Sequence, residues 1–125
     1  MPFNKRSIGV EAVLKAVSQS LEDDKAVDVV TIDLNGKSTI ADYMVIASGR
    51  SHRQVGAMTD HLLGALKDAG LGRVGVEGQA QADWVLVDAG DVIVHLFRPE
   101  IRSFYNLEKM WGMDMPDQGK VGALG

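Results

Sequence analysis

Apolar residues recur at spacings of three and four along Val10, Val13, Leu14, Val17 and Leu21. This pattern predicts a helix over about residues 8–23, with Ser7 placed to cap it. The next run, Val27 to Leu34, is rich in β-branched residues and apolar at successive positions, which predicts an interior strand. Asn35-Gly36 predicts a tight type I′ hairpin turn into a return strand over about Ile40–Ala47. The unbroken apolar run Tyr43 to Ala47 in that strand predicts burial on both faces. A second helix follows. Ser51 and Gln54 have the spacing of a capping box, and Val55, Met58, Leu62, Leu66 and Ala69 make its apolar stripe. Gly70 is placed to end that helix in a left-handed turn.

Arg73 to Glu77 predicts a short strand. Trp84 to Asp88 and Val92 to Phe97, joined at Asp88-Ala-Gly-Asp91, predict a second hairpin. Pro99 lacks the N–H needed to extend the ladder, and residues 100–111 read as one helix or two short turns. The order α-β-β-α-(β)-β-β-α predicts the α/β class, a mixed four- to five-stranded sheet with flanking helices. Two hairpins are joined by a helical crossover, right-handed if it links parallel strands. Residues 1–112 form the predicted domain. Residues 113–125, glycine-rich and without apolar period, are expected to be a flexible tail.

Composition adds boundaries. The chain has 125 residues, 46% hydrophobic and 24% charged, an ordinary balance for one globular domain. It contains no cysteine, which rules out disulfides and thiolate metal sites and fits a reducing cytoplasm. The start has no apolar run of the kind a signal peptide needs, and no stretch is long enough to span a membrane. The net charge is −4, and its placement is uneven. Residues 74–108 hold Glu77, Asp83, Asp88, Asp91, Glu100 and Glu108 against Arg98 and Arg102, while the remainder carries 11 residues of each sign. Nucleic-acid affinity rests on neutralising phosphates, so this segment predicts a basic protein partner rather than RNA or DNA. A merely solvated acidic surface is the plain alternative.

The search for chemistry is mostly negative. His52 and His61 are nine residues apart on one helix and point to opposite sides, so they cannot share a metal, and His95 lies on another element. No metal site is predicted. Gly49-Arg-Ser-His-Arg opens a helix directly after a strand, an arrangement that can hold an anion. The phosphate-loop and dinucleotide-binding patterns are both missing, so capping with solvated Arg50 and Arg53 is favoured, with contact to an RNA phosphate as the secondary role. A metal-dependent nucleotidyltransferase is the enzyme alternative, but Asp88 and Asp91 flank a turn and no alternating carboxylates on a strand aim at one metal. Neither a cysteine nor a nucleophile elbow exists, and no catalytic residue or cofactor is predicted.

The second hairpin concentrates both the charge and the aromatic residues. Side-chain alternation puts Trp84, Leu86 and Asp88 on one face and Asp83, Val85 and Val87 on the other. Aromatic side chains with arginine are what protein interfaces favour as anchors. The competing reading is that Trp84 and Phe97 simply cap the core.

Several stretches in order resemble a known family, that of the ribosomal silencing factor RsfS, or Iojap. They are Asp33-Leu-Asn-Gly-Lys-Ser38, Ala41-Asp-Tyr-Met-Val-Ile-Ala-Ser-Gly49, Ser51-His-Arg-Gln-Val55, Val76-Glu-Gly78, Asp83-Trp84, Val87-Asp-Ala-Gly-Asp-Val-Ile-Val-His-Leu-Phe97, and Arg102 to Trp111 with Tyr105-Asn-Leu-Glu108. The resemblance covers about residues 8–112. It implies a nucleotidyltransferase-like fold without the catalytic carboxylates, and binding to the large ribosomal subunit through ribosomal protein L-fourteen. It further implies blocked association with the small subunit and repressed translation under nutrient limitation, with homodimers common. A large-subunit assembly factor is the alternative. On this sequence the implied partner-binding residues are Trp84 as a buried anchor, Val85, Leu86 and Asp88 beside it, and His95, Arg98, Arg102, Tyr105 and Glu108. Spacing alone leaves open which face of the hairpin meets the partner.

Overall fold

The structure, a computed structural model, describes residues 9–98. Its elements are α1 (Val10–Asp23), β1 (Val27–Asp33), β2 (Tyr43–Ser48), α2 (His52–Asp68), β3 (Gly75–Glu77), β4 (Trp84–Asp88) and β5 (Val92–Phe97). The strands form one mixed sheet in the order β1-β2-β5-β4-β3. Strands β2 and β5 are parallel at its centre, and every other pairing is antiparallel. The chain thus leaves β2 through α2, starts again at the far edge, and folds back strand by strand to β5. This is the expected α/β architecture with the full complement of five strands.

Both helices pack on one face of the sheet. Val13, Val17 and Leu21 of α1 and Val55, Met58, Leu62 and Leu66 of α2 meet Val45, Ala47, Val85, Val87, Val94 and Leu96. Burying one such aliphatic side chain contributes about 1.5–3 kcal/mol, so the two stripes outweigh any local propensity. Residues of opposite parity build a second cluster on the other face, with Ile32, Met44, Ile46 and Phe97 buried and Val30, Trp84 and Ile93 packed against them. The run from Met44 to Ser48 is buried throughout because β2 is central and has apolar groups on both sides.

Helix α2 is capped as its sequence predicts, with one shift. Ser51 Oγ accepts the Gln54 N–H at 3.1 Å, but Gln54 Oε1 reaches back one residue further, to the Arg50 N–H at 2.6 Å. Its Nε2 donates to the Asp24 carbonyl at 3.3 Å, tying the start of α2 to the end of α1. Gly70 ends the helix with a φ of 102°.

Three expectations are corrected. Strand β1 is an edge strand, not an interior one: Val29 is 42% exposed, and a bulge with Asp28 at φ 51° shifts the register between Val27 and Val30. Such a bulge protects an edge from further pairing. The Asn35-Gly36 pair makes no two-residue hairpin. Only Gly36 takes positive φ, the Leu34 carbonyl accepts from both Lys37 and Ser38, and β2 begins at Tyr43, leaving Ile40 71% exposed. Helix α1 begins at Val10 with Gly9 as its N-cap and no side-chain cap. Ser7, the predicted helix over residues 100–111 and the tail 113–125 lie outside the described residues.

Candidate protein-docking site

The second hairpin is held in register by its turn. Asp88 Oδ1 accepts the Gly90 N–H at 3.0 Å, and Ala89 and Val92 close the loop through their backbones. Trp84 then faces Phe97, Leu86 faces His95 and Asp88 faces Ile93. Val85 and Val87, both 0% exposed, lie beneath the helices. Trp84 and Leu86 therefore occupy the face opposite α1 and α2, and alternation places Asp88 with them. Val85 is thus enclosed beneath the helices, whereas Trp84 and Leu86 are half-buried.

On that face three rings form a pile. Trp84 stacks on Phe97 with centroids 5.2 Å apart, and His95 lies nearly parallel to Phe97 at 6.0 Å. The Trp84 indole Nε1–H donates to His95 Nδ1 at 2.9 Å, across strands and along the diagonal. An indole nitrogen can only donate, so His95 Nδ1 carries no proton. Burial pushes the His95 pKa down from 6.5 to about 4, which keeps the ring neutral. Phe97 is fully buried and His95 is 6% exposed, whereas Trp84 and Leu86 are half-buried and border a shallow concavity with Glu77 and Gly78.

Gly78 is required there by close approach. It has a φ of 85°, and a Cβ on it would collide with the Trp84 carbonyl oxygen. At the end of the pile, Arg98 Nε donates to Asp83 Oδ1 at 2.8 Å and its backbone N–H to the Asp83 carbonyl at 3.1 Å. His52 Nδ1 approaches the same carboxylate at 3.3 Å and the Gln81 carbonyl at 2.9 Å. Arg98 is thus engaged with Asp83, while Glu77, Asp88 and Asp91 are exposed around the hairpin. Arg102, Tyr105 and Glu108 lie outside the described residues. The Trp84–His95 bond, the Gly78 approach and the Asp83–Arg98 pair were not read from the sequence. The turn at 88–91 held the one available signal, since it sets the cross-strand register.

The other candidate chemistries find little support. The start of α2 is occupied by its own caps, and the Gly49 N–H donates to the Phe97 carbonyl at 2.9 Å. His61 Nδ1 meets Asp24 at 2.8 Å, on a different side from the partners of His52. Among the described residues no group of three histidines or carboxylates could hold a metal ion, and no helix is long and apolar enough to cross a membrane.

Comparison with known proteins gives a consistent result. A family model described as "Ribosomal silencing factor during starvation", RsfS, matches residues 7–123. The chain is 60% identical over 117 residues to the ribosomal silencing factor RsfS of Zymomonas mobilis, covering 92% of this chain and 87% of that protein. It is 35% identical over 107 residues to the mouse protein named "Mitochondrial assembly of ribosomal large subunit protein 1", covering 83% of this chain and 47% of that one. A crystal structure of a Chromobacterium violaceum protein superposes with a TM-score of 0.81 at 37% identity, covering 86% of this chain and 90% of that one.

Proposed function

The chain belongs to the RsfS family of ribosomal silencing factors, and from that premise we propose that it docks on ribosomal protein L-fourteen of the large subunit through the Trp84 face of its second hairpin. Its general role is to silence ribosomes during starvation, as a ribosome-binding factor and not an enzyme. The docked protein blocks the small subunit from joining, and translation falls when nutrients are short.

The observation that carries the docking surface is the half-buried Trp84 stacked on Phe97 and bonded to His95, with exposed Glu77 beside it and exposed Asp88 and Asp91 at the turn of the same hairpin. A fixed aromatic centre within a charged rim is how protein interfaces concentrate binding energy. The acidic rim favours a basic protein surface and an association rate that falls with salt. The contact area is expected to be on the order of 1,200–2,000 Å².

A second reading is favoured by the mouse relative, whose name places it in large-subunit assembly. Here the same face would hold immature subunits. Sedimentation of the full chain with separated subunits, joined ribosomes and assembly intermediates distinguishes the two. Silencing predicts binding to mature free large subunits and exclusion from joined ribosomes. Trp84→Ala is expected to weaken that binding by about 2 kcal/mol, roughly 30-fold. Unchanged co-sedimentation of a folded Trp84→Ala protein would rule out this docking face.

A further inference from the structure

An aromatic anchor is effective when it already stands in its bound orientation, because ordering a side chain on binding costs affinity. Two contacts within the hairpin restrain the Trp84 ring. Phe97 supplies a stacking surface on the neighbouring strand at 5.2 Å, which sets the ring plane. Stacking alone leaves rotation within that plane, and the Nε1–H bond to His95 Nδ1 at 2.9 Å supplies a directional contact against it. His95 is itself held in the sheet, 6% exposed and parallel to Phe97 at 11°. Its neighbour across the hairpin is Leu86, which borders the same concavity as Trp84.

Resting on the docking reading above, we infer that His95 is a positioning residue, whose Nδ1 fixes the Trp84 indole in the orientation the partner meets, and that it does not touch the partner itself. His95 is too enclosed to present much surface, and its contribution runs through Trp84. With Nδ1 used as an acceptor, the neutral ring has its proton on Nε2. The two nitrogens can therefore be tested separately. Asparagine places an acceptor oxygen at the Nδ1 position and nothing at Nε2. Glutamine reaches the Nε2 position and leaves Nδ1 empty. Leucine fills the space without polar atoms.

The test uses the full chain and purified large ribosomal subunits. In isotope-labelled wild type, NMR should show nitrogen–nitrogen coupling across the hydrogen bond between the Trp84 indole and His95. His95→Leu and His95→Gln should lose that coupling, shift the Trp84 indole resonance, and bind large subunits about fivefold more weakly. His95→Asn should restore an indole hydrogen bond and bind within about twofold of wild type. The reverse order, with glutamine binding well and asparagine poorly, overturns the inference in favour of direct contact through Nε2. Full affinity in a folded His95→Leu protein, alongside a loss in Trp84→Ala, overturns it while leaving the docking face intact. No loss in Trp84→Ala removes the docking face and this inference with it.

Discussion

Lowering the pH from 7 to 4.5 is expected to destabilise the fold through His95, and the size of the effect follows from its burial. In the unfolded chain the imidazole titrates near 6.5, whereas in the folded protein burial lowers its pKa to about 4. Between these values the unfolded state holds a proton that the folded state does not, so stability rises with pH across this window. The contribution is fully present above pH 6.5 and is lost as pH falls toward 4. Integrating from pH 7 to 4.5 gives a loss of about 2 kcal/mol, a large share of the 5–15 kcal/mol typical of a domain. Protonation would also put an N–H on Nδ1, facing the indole N–H of Trp84. Urea unfolding at the two pH values, in wild type and His95→Asn, isolates the effect. Other titrating groups act alike in both proteins and cancel in the difference. The wild-type advantage over the variant should shrink by about 2 kcal/mol at pH 4.5. An equal difference at both pH values would mean that His95 is not held neutral by burial.

Two further substitutions probe the scaffold. Gly78→Ala forces a side chain into positive φ and onto the Trp84 carbonyl, and should cost about 2 kcal/mol or more by urea unfolding, with altered near-ultraviolet signal from the aromatic pile. A neutral result there would contradict the close approach. Gly56 lies inside α2 with open space around its missing Cβ, so Gly56→Ala should raise stability by about 0.5–1 kcal/mol, with a higher midpoint and an unchanged slope. Destabilisation would show that the space is occupied.

Sequence pattern by itself determined the local structure and much of the chemistry. The stripe Val55, Met58, Leu62 and Leu66 announces α2 because helical period and core facing are the same fact. The turn at Asp88-Ala-Gly-Asp91 announces the second hairpin, and alternation along it divides Trp84 and Leu86 from Val85 and Val87. The ordered family motifs, independent of any fold, pointed to ribosome silencing. Tertiary structure alone decided what depends on partners distant in the chain. The run Val27 to Leu34 has the composition of an interior strand, but strand order puts it at the edge, because α2 carries the chain to the opposite side of the sheet. Alternation could not say which hairpin face the helices would cover. Packing of α1 and α2 on Val85 and Val87 settled that and put Trp84 on the opposite face, against the second cluster. The hydrogen bond from Trp84 to His95 joins residues 11 apart on different strands, and only the twist and register of the sheet bring them within 2.9 Å.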